Sequence, residues 1–192
     1  MPDLSVVALN CTLTPSPGES SSQKLLDEVL AELSAHASVT PHVVRLVDHD
    51  VKPGVEADMG AGDEWPEIRD RIRAADILVV ATPTWLGHMS SVAQRMLERL
   101  DAELSETDDD GRPVMFGKVA AVVADLRQSL NDIGFGIPAQ GSVYWNGGAT
   151  SGVDYKDLDK TPEPVATATA TPARSTVHLA GLLGAQQYPA NG

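Results

Sequence analysis

The residues from Ala74 to Asp101, AADILVVATPTWLGHMSSVAQRMLERLD, constrain the fold more than any other stretch of the chain. Within them Ile77-Leu78-Val79-Val80-Ala81 is apolar at every position and rich in β-branched side chains, with no polar alternation. Such a run suits a strand covered on both faces, in the interior of a parallel sheet. Thr82-Pro83-Thr84 ends it, because proline removes a backbone donor. Gly87 permits a tight loop. Ser90 or Ser91 stands where a helix cap belongs, and Val92, Met96, Leu97 and Leu100 then fall on one apolar stripe. The order strand, loop, helix puts the loop at the carboxyl end of a central strand, the place where open α/β sheets bind ligands.

The same alternation runs through the rest of the chain. Leu4 to Cys11 is a first apolar strand, and Thr12 to Ser22 (TLTPSPGESSS) a loop rich in hydroxyls. Leu25, Leu26, Val29, Leu30 and Leu33 mark a helix that Ser21 or Ser22 is placed to cap. Val39 to Val47 reads as a second strand, broken by Pro41 and therefore at an edge. The acidic connection from His49 to Glu64 has the length of a functional or mobile loop. Trp65, Ile68 and Ile72 predict a helix with Pro66 in its first turn, and 102–113 a solvated acidic turn. Lys118 to Val123 is a fourth strand and Ser142 to Trp145 a fifth. A last helix covers the tail, kinked or started by Pro172.

One junction does not fit this pattern. Leu126, Leu130 and Ile133 predict a helix from about Ala124, directly after a strand ending at Val123. Strand-to-helix loops take about 2–6 residues. Either chain is missing between Val123 and Ala124, in which case that peptide bond should be broken, or one element gives up its end to make the turn.

Charge narrows the partners. Fourteen basic residues against 27 acidic ones give −13, which argues against nucleic acid and anionic membrane. No apolar run approaches the ~20 residues of a membrane span, and no secretory signal precedes Asp3. The single cysteine, Cys11, fits a reducing compartment and reads as a buried filler. The reading is a soluble, cytoplasmic protein in one domain, 1–192. Five histidines lie scattered without metal-site spacing, so no metal is expected. His88 is the one histidine in a candidate site.

The chemistry is carried by two loops. A polar loop between a strand and a helix N-terminus favours an anion, through free N–H groups and the helix dipole. It contains neither a Walker loop nor a G-x-G-x-x-G turn. In the second loop Thr82, Thr84 and the backbone at Gly87 offer polar groups beside the apolar Trp85, Leu86 and Met89, a mixture that suits a flat heteroaromatic ring.

Here TPTWLGHMS resembles the loop that lies against the isoalloxazine of FMN in flavodoxin-like flavoproteins. The hydroxyl loop ahead of the first helix resembles their phosphate grip, and the likeness extends to YWNG and VDYKDL. It is nearest to the NAD(P)H-dependent FMN reductases of that superfamily. The resemblance implies a doubly wound, five-stranded parallel sheet of order 2-1-3-4-5. It implies FMN as cofactor, with Thr12, Ser16, Ser21 and Ser22 on the phosphate. Thr82, Pro83, Thr84, Trp85, Leu86 and Gly87 would then hold the ring, with Trp85 as its apolar wall. NADPH or NADH would supply hydride, and a quinone, flavin or other small molecule would take up the electrons. No catalytic side chain is assigned, since the flavin carries the reaction. A homodimer or homotetramer is implied by the same likeness. Two alternatives use the same fold: a flavodoxin-type electron carrier that NAD(P)H does not reduce directly, and a flavin-free scaffold.

Overall fold

The structure is a computed structural model, which describes residues 3–123, 127–143, 145 and 153–189. Its centre is a parallel sheet built from β1 (Asp3–Asn10), β2 (Ser38–Arg45), β3 (Ile77–Ala81) and β6 (Val119–Val123) in the order β2-β1-β3-β6. Val6 to Asn10 pair in register with Ile77 to Ala81, and Ile77 to Ala81 with Val119 to Val123. Every residue of β3 is buried, as the unbroken apolar run predicts.

Helices cover both faces. α1 (Ser21–His36) and α5 (Glu163–Ala185) pack on one side, α2 (Trp65–Ala74) and α3 (Ser91–Leu100) on the other. The period-2 alternation of a strand divides β3 between them. Ile77, Val79 and Ala81 join Leu26 and Leu33 of α1 and Ala180 of α5. Leu78 and Val80 join Ile68 and Ile72 of α2 and Met96 and Leu100 of α3. Each fully buried aliphatic side chain of this kind stabilises the fold by about 1.5–3 kcal/mol. Cys11 is a fully buried member of the second core, and burial pushes its thiol far above the ordinary range.

Several expectations are corrected. Pro41 does not break β2, which runs unbroken with Pro41 paired to Val6. The strand is at the edge of the described sheet, where one side has no partner among the described residues and a missing N–H is tolerated. The buried face of α3 is Ala93, Met96, Arg99 and Leu100, with Val92 and Leu97 only partly buried. Pro172 does not start α5, whose first turn holds Pro164 and whose interior holds Pro172. The acidic turn is not wholly solvated, because Glu103 in it is fully buried against Arg69 of α2.

At the position of the fifth strand the described residues give single bridge positions at Gly136 and Ser142, with Gly136 paired parallel to Val119. A turn from Pro138 to Gly141, closed by the Gly141 amide on the Pro138 carbonyl at 3.0 Å, interrupts the ladder there. The described helix after β6, α4, is Arg127–Asp132. The Val123–Ala124 junction lies outside the described residues. No helix among the described residues is long and apolar enough to cross a membrane.

Candidate functional site

Where β1 and β3 end, two loops leave the sheet. The Cys11 amide donates to the Ala81 carbonyl at 2.7 Å, and beyond that rung a buried pair of hydroxyls joins the loops. Ser90 Oγ donates to the Cys11 carbonyl at 2.7 Å and accepts the Ala93 amide at 3.1 Å. It is therefore the cap of α3 as well as a tie to the neighbouring strand. Thr82 Oγ1 accepts the Ser90 amide at 3.1 Å. Thr82 and Ser90 are both buried, so the first and last residues of the loop are fastened together.

Between them the chain makes a small antiparallel hairpin, β4 (Thr84–Trp85) and β5 (His88–Met89). Its two-residue turn has φ of 49° at Leu86 and 83° at Gly87. Two positive φ values are the mark of a type I′ turn, which matches the twist of paired strands. Glycine accepts that conformation freely, whereas leucine is strained in it. Leu86 is fully exposed at the tip, and Trp85 is 59% exposed.

On the other side, α1 begins at Ser21 and its cap is Ser20, whose side chain accepts the Gln23 amide at 3.3 Å. This corrects the expectation of Ser21 or Ser22. A cap residue must be extended, as Ser20 is with φ −143° and ψ 129°, while Ser21 and Ser22 are already helical. Their amides therefore have no acceptor inside the helix. The loop before them is braced by its own side chains. The Thr12 amide donates to Asn10 Oδ1 at 3.0 Å, and Asn10 Nδ2 to Gln23 Oε1 at 2.8 Å.

A cleft of ≈ 500 Å³ opens between the two loops and brings together Thr12, Ser21, Ser22, Thr82, Pro83, Thr84 and Trp85. Its volume is that of a small-molecule site. The remaining three expected residues do not line it. Ser16 turns away to Asp48, with Oγ–Oδ2 2.6 Å and N–Oδ1 2.9 Å, and these bonds, the side-chain one first, hold the Asp48 carboxyl below its ordinary range. Leu86 and Gly87 are spent on the turn and exposed. His88 is likewise exposed and does not line the cleft. A polar depression of ≈ 530 Å³ between β2 and α2, lined by Ser16, Arg45, Asp48 and Arg71 among others, lies at the sheet's edge and not at the central strand ends.

The far wall of the cleft comes from residues of YWNG and VDYKDL, to which the family likeness extends but from which no site residue was expected. Trp145, Tyr155 and Lys156 line it. Tyr155 is buried, its hydroxyl bonded to Glu28 of α1, its ring 5.1 Å from that of Trp145 and 5.4 Å from Lys24 Nζ. Burial, and then the Glu28 carboxylate, push its hydroxyl up to about 12. The Lys156 amide donates to Ser21 Oγ at 3.2 Å. Its ammonium donates to Asp157 at 2.6 Å, which raises its pKa. The available signal was aromatic scarcity: of eight aromatic residues in the chain, Trp85, Trp145 and Tyr155 meet at one cleft.

These features fit a flavin phosphate: orphan amides and hydroxyls at one end, aromatic and apolar surface at the other. The model of the NADPH-dependent FMN reductase family matches residues 4–143. The chain belongs to that family. The family uses FMN with NAD(P)H. Among relatives, the chain is 32% identical over 173 residues to an 8-demethyl-8-aminoriboflavin-5'-phosphate synthase of Streptomyces davaonensis, a match covering 79% of this chain and 67% of the synthase. It is 34% identical over 170 residues to the divalent metal cation transporter MntH of Mycobacterium bovis, where it spans 80% of this chain and only 25% of the relative. Among solved structures, RosB with bound 8-demethyl-8-formylriboflavin-5'-phosphate superposes with a TM-score of 0.85 at 28% identity, covering 96% of this chain and 82% of RosB.

Proposed function

We propose that the cleft binds FMN and that the protein is a flavin-dependent oxidoreductase taking hydride from NADPH or NADH. The observation that carries this reading is the pairing of two free helix-start amides, at Ser21 and Ser22, with the aromatic wall of Trp85 across one cleft. When bound, the flavin would accept hydride from a nicotinamide and hand electrons to a quinone, a free flavin or another small acceptor. The chain's own part is to bind and orient. Thr12, Ser21 and Ser22 would hold the phosphate end with hydroxyls and amides. Thr84 and the backbone after Pro83 would meet the ring's polar edge, and Trp85 its face. Thr82 acts indirectly, by fastening the loop's base to Ser90.

A homodimer or homotetramer belongs to the same reading. Its support is the exposed Trp85–Leu86 tip beside the cleft, apolar surface that a second subunit would cover. A single sedimentation measurement decides this part.

One observation favours a second reading. The likeness is to a synthase named for a modified flavin phosphate and to RosB, whose structure holds a flavin-phosphate intermediate. The flavin phosphate would then be substrate and not cofactor. Two incubations separate the readings: anaerobic mixing of the FMN-loaded protein with NADPH or NADH, and aerobic incubation of FMN with the protein and an amine donor, each followed by mass analysis of the flavin. The reductase reading expects the flavin's visible absorption to bleach in the first and its mass to survive reoxidation. The second reading needs an oxidant and a nitrogen source, so a changed mass in the aerobic incubation supports it; a flavin unbleached in the first and unchanged in the second overturns both.

A further inference from the structure

The charge balance of the cleft carries one more step. Among its described lining residues Lys156 is the only cation, and Glu19 and Asp154 are anions. A phosphate monoester carries about −1.5 to −2 at neutral pH. The chain around it carries −13. The start of α1 offers partial positive charge that fades within the first turn, and the two lining carboxylates oppose it.

Lys156 is held where that charge is needed. Its amide rests on Ser21 Oγ at 3.2 Å, so its backbone sits against the first turn of α1. The residue before it, Tyr155, is buried and bonded to Glu28 of α1. Two residues after it, the Leu158 carbonyl accepts Lys24 Nζ of α1 at 2.6 Å. The short segment is thus fixed to α1 on both sides of the lysine, while the ammonium remains at the end of a flexible stem. Its partner is the exposed Asp157 carboxylate at 2.6 Å. Exposed pairs of this kind are weak and readily exchanged.

We infer that Lys156 makes the cleft select a phosphorylated flavin over riboflavin, its ammonium leaving Asp157 for a phosphate seated at Ser21 and Ser22. This rests on the flavin reading above and adds to it a specificity residue 135 positions distant from Ser21. The loop before α1 supplies the seat and the later segment supplies the charge.

The test is a pair of fluorescence titrations, with FMN and with riboflavin, on the full chain and on Lys156→Met and Lys156→Arg. Folding of each variant is checked by thermal melting. Lys156→Met should weaken FMN by at least about tenfold and leave riboflavin affinity unchanged, so the preference for FMN collapses. Lys156→Arg should keep most of that preference, because the charge is kept. Equal loss for both flavins, which a merely structural role would give, overturns the assignment. So does an unchanged preference in Lys156→Met. If the unaltered chain binds neither flavin, the flavin reading itself fails and this assignment falls with it. That outcome differs from failure of Lys156 alone, in which the unaltered chain still binds FMN.

Discussion

The Arg99 guanidinium and the Asp63 carboxylate meet at 2.8 Å with both side chains wholly removed from solvent. Arg99 also donates to the carbonyls of Lys52 and Glu56 at 3.0 Å and of Ala57 at 3.2 Å. Asp63 accepts the amides of Met59 at 2.9 Å and of Lys52 and Trp65 at 3.2 Å. The long acidic connection between β2 and α2 is therefore wrapped around one ion pair whose cation comes from α3, and the guanidinium lies 5.7 Å from the Trp65 ring centroid.

Removing one partner of a buried pair strands the other charge. Asp63→Ala should destabilise the protein by about 3–5 kcal/mol, read as a lowered urea midpoint. The same variant should make residues 50–64 a site of rapid proteolysis. A loss below about 1 kcal/mol would mean that the carbonyls alone satisfy Arg99.

The same pair predicts an acid response. Burial alone would raise the Asp63 pKa, but the Arg99 hydrogen bond and three backbone amides outweigh it, and the carboxyl sits well below the ordinary range. A carboxyl depressed in the folded state adds stability above its unfolded pKa, about 3.9, and that stability is lost as pH falls through the folded value. The contribution is complete at neutral pH and declines below about pH 4. Urea midpoints measured from pH 7 to pH 3 should fall less steeply in Asp63→Asn than in the unaltered chain. Identical slopes would assign the acid loss to other carboxyls.

Adjacent serines at the start of α1 should separate by readout. Ser20→Ala removes the cap and should cost about 1 kcal/mol of stability. The double variant Ser21→Ala, Ser22→Ala keeps the cap and should weaken FMN by about 1.5–3 kcal/mol for each lost bond to a charged group. FMN affinity that ignores the double variant, in a chain that still melts normally, would take both hydroxyls out of the site and leave the phosphate to the helix-start amides alone.

Trp85 is a direct test of the ring site. At 59% exposure it contributes little packing, so Trp85→Ala should change stability by no more than about 0.5 kcal/mol. FMN binding should quench its fluorescence, and the variant should bind FMN more weakly. Lowered stability with unchanged affinity would make Trp85 a packing residue instead.

The legible parts of this chain were those decided locally. Ile77 to Ala81 could be read as a central strand because five consecutive apolar residues leave no solvent face. Pro41 gave the edge and Pro66 the first turn of α2 because proline acts through its own backbone. Both loops at the cleft followed from the order of elements. What was not legible depends on partners distant in sequence. Nothing near Arg99 says that its charge is satisfied by residues 36 to 47 positions earlier. Nothing near Tyr155 says that it docks on Glu28, 127 positions away. Ser16 looked like its neighbouring hydroxyls until Asp48, 32 positions on, took it out of the site. The cap was missed by one residue, because three consecutive serines are equivalent until backbone angles separate them.

The bond between Thr82 and Ser90 has a consequence for how this protein can change. Both ends of the intervening loop are fixed to each other, and Ser90 is fixed in turn to the Cys11 carbonyl. Among the described residues the hairpin from Thr84 to Met89 pairs only with itself. A substitution, an insertion or a grafted sequence at its tip therefore ends at the clamp and does not shift the register of the central strands. Whatever meets that tip can be exchanged, by evolution or in the laboratory, as a cartridge is exchanged in a fixed housing.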